Sequence, residues 1–130
     1  MTKHAIEALI ATADTAINEE DWDTLRDIYA EDAVLVVQPG RHAVGRDQIM
    51  TACRAIAEHF AHTLDVKQNG MTILESGDTA LVLANTIVSS KNTEAEVRKA
   101  TYVFKKHPER GWQCVIDNSY GHDLIAAAPV

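Results

Sequence analysis

The 130 residues read as an α+β chain, three helices in the first half and a strongly bent, antiparallel sheet after them. Three observations carry that reading. Apolar residues in the first half recur at helical spacing. Four long segments after residue 62 are rich in β-branched and aromatic residues and are separated by turn signals. No helical pattern follows a strand after the first crossover, which disfavours a parallel α/β fold and leaves helices packed on one face of a sheet.

In residues 3–18, Ile6, Leu9, Ile10, Ala13, Ala16 and Ile17 form one apolar stripe. Asn18-Glu19-Glu20 closes that helix, and Asp21 caps a second, Trp22 to Ala30, which buries Trp22, Leu25, Ile28 and Tyr29. A turn is expected at Glu31-Asp32, then a short strand Ala33–Val37 stopped by Gln38-Pro39-Gly40-Arg41-His42. The third helix runs from Asp47 to about His62 with Ile49, Cys53, Ile56, Ala57 and Phe60 inward.

The strands that follow are Thr63–Glu75, broken by a bulge or bend at Asn69-Gly70, and Thr79–Ser90 after the turn Ser76-Gly77-Asp78. The second is apolar on both faces, so both faces should be covered, one by helices and one by a second copy of the protein. Lys91–Glu96 reads as a solvated loop. A terminal hairpin then pairs Val97–Lys106 with Trp112–Tyr120 across His107-Pro108-Glu109-Arg110-Gly111. Alternation puts Trp112, Cys114, Ile116 and Asn118 on one face and Gln113, Val115, Asp117 and Ser119 on the other. The Trp112 face is the more apolar, which sends Asn118 inward. The tail Ala126–Val130 reads as frayed.

Composition bounds the partners. One domain spanning 1–130 is expected from the length, with 46% hydrophobic and 24% charged residues. A net charge of −7 argues against a nucleic-acid partner, because binding phosphate needs a positive face, and Arg98, Lys99, Lys105 and Lys106 make the only basic concentration. No run approaches the ~18 apolar residues of a membrane span, and the first residues carry no apolar signal core. A cytoplasmic protein is expected, with Cys53 and Cys114 as buried free thiols.

The candidate site residues follow from the same pattern. Pairing Lys106 with Trp112 sets Tyr102 opposite Ile116 and beside Asn118, where a phenol and an amide could hold a ligand carbonyl. Asp117 falls on the opposite face unless a bulge re-aims it; there, half-buried, it is a base candidate with a raised pKa. His62 and His42 are further acid–base candidates, one at the end of the third helix and one after Pro39-Gly40. Gln38 can orient a ligand but, as an amide, cannot be a base at neutral pH. Trp22 and Tyr29, at i and i+7, form core or pocket wall. His59 and His62 at i, i+3 lack a third ligand, so no metal is expected. No Gly-rich phosphate loop, Cys cluster or nucleophile elbow is present, and no cofactor is expected.

The element order, the segment Glu20-Asp21-Trp22-Asp23…Tyr29-Ala30-Glu31-Asp32-Ala33-Val34-Leu35-Val36, Gly45…Ile49 and Gly111-Trp112…Asp117-Asn118 resemble the nuclear-transport-factor-2-like superfamily, closest to its SnoaL-like and SgcJ/EcaC-type groups. The resemblance covers nearly the whole chain. It implies a cystatin-like, cone-shaped sheet wrapped around the long third helix, a pocket at the wide end, and a homodimer through the outer sheet face. The superfamily hosts isomerases, cyclases, hydrolases, dehydratases and non-catalytic association domains, so it fixes no activity. The ketosteroid isomerases within it carry an Asp base just before a Pro, where this chain has Val37-Gln38-Pro39, and a first-helix Tyr, where it has Ala11-Thr12-Ala13-Asp14.

Two functions are therefore expected. One is binding of a small hydrophobic or carbonyl-containing molecule in an apolar pocket, with cofactor-free isomerase- or cyclase-type proton chemistry on it. The other is a non-catalytic ligand-binding or association module.

Overall fold

The computed structural model describes residues 4–126. Its elements are α1 (Ala5–Glu19), α2 (Trp22–Ile28), β1 (Tyr29–Gln38), β2 (Arg41–Val44), α3 (Arg46–His59), β3 (Asp65–Ser76), β4 (Thr79–Ser90), β5 (Thr93–His107), β6 (Gly111–Asn118) and a single 3₁₀ turn, Gly121–Leu124. The strands form one six-stranded sheet in the order β2-β1-β6-β5-β4-β3. Every neighbouring pair is antiparallel except β1 with β6, which is parallel. The α+β class, with helices on a curved sheet, is as the sequence reads.

Several boundaries differ from the sequence reading: α3 ends at His59 rather than about His62, which leaves His62 outside the helix, and three others reshape the sheet. α2 ends at Ile28, and the chain enters β1 at Tyr29 with no turn at Glu31-Asp32. The Tyr29 amide still bonds back to the Arg26 carbonyl, but its own backbone is extended (φ −84°, ψ 144°). Tyr29 is thus a strand residue rather than a helix neighbour of Trp22. The segment Pro39-Gly40 does not simply stop β1; it reverses it into β2, with Gln38 opposite Arg41 and Gly40 at φ +83°. β5 begins at Thr93, so the expected loop shrinks to the turn Lys91-Asn92. The irregularity at Asn69-Gly70 is present, between Gln68 and Met71. Of the C-terminal tail, residues 127–130 lie outside the described residues.

The core lies between the helices and the inner face of the sheet. Ile6 and Ile10 of α1, Leu25 and Ile28 of α2, and Ile49 and Met50 of α3 pack on Ala33 and Leu35, Ala80 and Val82, Ala100 and Phe104, and Trp112 and Cys114. The apolar patterning of those positions is what brings the elements together, since each large aliphatic or aromatic side chain buried adds about 1.5–3 kcal/mol by leaving water. Among the described residues no helix is long and apolar enough to cross a membrane. Both cysteines are free thiols, Cys114 buried and Cys53 partly so.

The outer face of the sheet carries a continuous apolar row. Cα pairing joins Leu74 to Leu81, Leu81 to Val103, Val103 to Ile116, Ile116 to Val34 and Val34 to Val44. One aliphatic row therefore crosses all six strands, and Leu74, Ile116 and Val44 in it are exposed.

Candidate functional site

Between the helices and the inner sheet face is a cavity of about 510 Å³, lined mostly by apolar side chains from all three helices and from β1, β3, β4, β5 and β6. Trp22, Ile56, Phe60, Leu35 and Phe104 supply apolar wall, and Gln38 and Arg41 reach it from the β1–β2 hairpin. A size of a few hundred Å³, with a mostly apolar wall and a minority of polar groups, suits a small organic molecule.

Asp117 is in this cavity, and a β-bulge puts it there. β6 pairs regularly with β5 from Gly111 to Cys114, but Val103 then faces Ile116 while Phe104 faces Cys114, leaving Val115 as the extra residue. Alternation is reset at that point. Ile116 turns to the outer face, and Asp117, opposite Tyr102, turns inward. Tyr102 is thus not opposite Ile116, as simple alternation requires, and Asn118 is not inward. The Cys114 thiol donates to the Ile116 carbonyl at 3.4 Å, giving a bulge carbonyl a partner.

The Tyr29 hydroxyl donates to Asp117 Oδ2 at 2.5 Å, a short charge-assisted bond. The Arg46 Nε donates to the Tyr29 carbonyl at 2.9 Å and fixes the start of β1. Burial pushes the Asp117 carboxyl above its ordinary value of 3.8, and the Tyr29 hydrogen bond offsets part of that. Asp117 is enclosed by protein but keeps some accessible surface because it faces the cavity. Burial and the facing Asp117 charge push Tyr29 well above 10, so it stays a neutral donor.

A second carboxyl shares the space. Asp14, on the inward stripe of α1 between Ile10 and Ile17, is raised to about 7, first by burial and then by Asp117 and Asp65, against a lowering bond from Gln68. Gln68 Nε2 donates to Asp14 Oδ2 at 3.1 Å, Thr86 Oγ1 donates to Gln68 Oε1 at 3.1 Å, and Thr86 Oγ1 and the Tyr102 hydroxyl are 2.8 Å apart. Asp14, Gln68 and Thr86 escape notice in the sequence. Asp14 had one visible signal: a carboxylate at i+4 from Ile10 and i−3 from Ile17 interrupts an apolar stripe.

The other sequence candidates divide. Trp22, Tyr29, Tyr102 and Gln38 line the cavity. Asn118 does not: its Oδ1 accepts from the Tyr120 and Gly121 amides at 3.0 and 3.1 Å, and its Nδ2 donates to the Gly121 carbonyl at 3.2 Å. It is a turn-forming amide, and the turn it holds sends Ser119 and Tyr120 to the cavity. The Tyr120 hydroxyl donates to the Val37 carbonyl at 3.1 Å, and the Arg98 guanidinium lies 4.7 Å over the Tyr120 ring. His42 is exposed on β2 and lies outside the cavity lining, where its neighbour Arg41 is found instead. His62 points to solvent and pairs with Glu20 at 3.0 Å. His59, not His62, reaches the cavity. Burial pushes the Cys53 thiol to about 12, which leaves it a poor nucleophile. Among the described residues no three His, Cys, Asp or Glu side chains are grouped so as to hold a metal ion.

This fold and cavity define the class: a cystatin-like, nuclear-transport-factor-2-like α+β domain. The chain belongs to the SnoaL-like domain family, whose model matches residues 6–117. Solved structures agree on the fold. One, from Caulobacter vibrioides, described as an uncharacterized protein with a cystatin-like fold, is 22% identical with a TM-score of 0.76 over 87% of this chain and 84% of its own. A nuclear-transport-factor-2-like protein with a cystatin-like fold from Novosphingobium aromaticivorans is 19% identical with a TM-score of 0.74 over 94% and 87%. A protein of unknown function with a cystatin-like fold from Nostoc punctiforme is 18% identical with a TM-score of 0.72 over 90% and 92%. No curated protein matches the chain.

Proposed function

We propose that the cavity binds a small apolar molecule bearing a carbonyl group and that Asp117 moves a proton on it without a cofactor. The observation that carries this reading is the Tyr29–Asp117 pair. A carboxyl with a raised pKa faces an apolar cavity, with one oxygen tied to a neutral phenol and the other left for a ligand. Raising a carboxyl toward neutrality is what a general base needs if it is to take a proton from carbon and return it. Tyr29 holds the carboxylate oriented while it is charged and so favours the ionised, proton-accepting form. A ligand seated on Asp117 would lie among Trp22, Leu35, Phe60 and Phe104, which exclude water and strengthen each electrostatic contact. The acid–base geometry supports the reaction class, isomerase- or cyclase-type proton transfer next to a carbonyl.

The test uses 2-tetralone, an apolar ketone with acidic α-hydrogens, in deuterated buffer. NMR would show the wild type exchanging those hydrogens faster than buffer, and Asp117→Asn losing roughly 100-fold or more of that acceleration. Equal exchange by wild type and variant would remove Asp117 from the chemistry. Binding without exchange would favour the non-catalytic reading.

The partner we propose besides the ligand is a second copy of the chain, docked through the outer sheet face. The unbroken aliphatic row from Leu74 to Val44, exposed at Leu74, Ile116 and Val44, supports it, since contiguous exposed apolar surface marks interaction sites. Cytoplasmic placement goes with this reading, as does the absence of nucleic acid from the partners, given the net charge of −7.

A further inference from the structure

The chain Asp14–Gln68–Thr86–Tyr102 joins α1, β3, β4 and β5, and its hydrogens can be counted. Gln68 Nε2 donates to Asp14. Gln68 Oε1 accepts from Thr86, which commits the one hydroxyl hydrogen that Thr86 has. The 2.8 Å contact between Thr86 and Tyr102 must then be filled by the Tyr102 hydrogen. While Asp14 is ionised, Tyr102 therefore shows the cavity only lone pairs. It can accept from a ligand and cannot donate to a carbonyl.

The chain can run the other way only if Asp14 carries a proton. Asp14 then donates to Gln68 Oε1, the turned amide donates through Nε2 to Thr86, Thr86 donates to the Tyr102 oxygen, and the Tyr102 hydrogen is left for the cavity. Each buried group keeps a partner, as buried polar groups require. With Asp14 ionised, the turned amide would set Oε1 against a carboxylate with no hydrogen between them.

We propose that Asp14 is a positioning residue whose proton, read through Gln68 and Thr86, decides whether Tyr102 donates to or accepts from the ligand. A ligand carbonyl or enolate held by Tyr102 is bound together with one proton, taken from solvent to Asp14 and given back on release. No other bond changes. This rests on the reading that the cavity takes a carbonyl ligand. It gives Tyr102 the carbonyl-polarising role only in the protonated state.

The surroundings suit it. Asp14 titrates at about 7, so both states are populated near neutrality. The charges acting on it are Asp117 from β6 and Asp65 from β3, both unfavourable to a second carboxylate. The cavity's cations, Arg98 of β5 and Arg41 of the β1–β2 hairpin, are not among the charges that act on it; β4 presents Thr86, β5 also presents Tyr102 with its phenol pushed up by burial, α2 presents Trp22, and α3 presents Cys53 and His59 to the cavity.

The experiment is calorimetric binding of 2-tetralone to the full chain from pH 6 to 9, in pairs of buffers with different ionisation enthalpies. Wild type should take up a proton above neutrality and lose up to about tenfold in affinity per pH unit there. Thr86→Val removes the acceptor that ties down the Tyr102 hydrogen, and Asp14→Asn supplies a permanent donor to Gln68. Both should bind as wild type does at pH 6, keep that affinity to pH 9 and lose that proton uptake. Tyr102→Phe should be weak at every pH. If wild type binds with no pH slope, or if both Thr86→Val and Asp14→Asn keep the wild-type slope, the relay is overturned while ligand binding stands. If 2-tetralone fails to bind wild type even at pH 6, the carbonyl-ligand reading falls and the relay with it.

Discussion

The Tyr29 hydroxyl donates to Asp117 Oδ2 at 2.5 Å across 88 residues of sequence, joining the first residue of β1 to the second residue after the β6 bulge. Two local events create it. α2 stops at Ile28, which frees Tyr29 to begin a strand, and Val115 bulges, which turns Asp117 inward. Remove either and the two side chains point to different faces.

Replacing the phenol tests the pair. Tyr29→Phe removes the bond that lowers the Asp117 pKa and leaves burial unopposed, so the carboxyl should titrate higher than in wild type. A ¹³C titration of the Asp117 carboxyl in the variant would show the midpoint shifted upward. An unchanged midpoint would mean that the phenol does not stabilise the charged form.

Stability should fall as pH rises from about 4 to about 7. Asp14 holds its proton more tightly folded (about 7) than unfolded (3.8), so its contribution is complete below about 4 and is lost as pH rises to 7. Above pH 7.5, Asp14→Asn should therefore be more stable than wild type in urea melts, by on the order of 2–4 kcal/mol. The gain should shrink toward zero or reverse near pH 4.

Asn118→Ala should unfold the chain more easily rather than merely weaken ligand binding. It deletes three bonds to the Tyr120 and Gly121 backbone, at a cost of roughly 1–3 kcal/mol. The next position but two is as constrained. Gly121 sits at φ +55°, and an added Cβ would lie 2.3 Å from the Lys99 carbonyl oxygen, so Gly121→Ala should cost at least the roughly 1–3 kcal/mol of a strained backbone. Thermal melts of both variants check this.

Leu83→Glu should give monomers in sedimentation equilibrium, because Leu83 is 45% exposed on the outer face of β4, whereas Val82 is fully buried. A monomeric wild type at micromolar concentration would remove the dimer.

Much of the fold is written plainly in the chain. The apolar stripes of α1 and α3, the Ser76–Asp78 turn and the Lys106–Trp112 pairing are local patterns, and the structure has them. The site is less legible, for physical reasons. Trp22, Leu25, Ile28 and Tyr29 satisfy a helical period past the point where the backbone leaves the helix. Nothing in Val115 itself announces a bulge, yet that one residue exchanges the faces of Ile116 and Asp117. Asn118 and Asp117 are neighbours of similar size, and only the reset alternation says which enters the cavity. Gln68 and Thr86 look like ordinary strand residues until β3, β4 and α1 are packed together.

On the proposed reading Asp117 is a carboxyl held protonatable inside a ligand cavity. The most direct test is ¹³C NMR titration of the Asp117 side-chain carboxyl in the wild-type chain, with and without 2-tetralone, Asp117→Asn identifying the signal. A midpoint clearly above the ordinary value near 3.8 that moves when the ketone binds is the expected result. A carboxyl that titrates near 3.8 and ignores the ketone would remove Asp117 from the ligand chemistry.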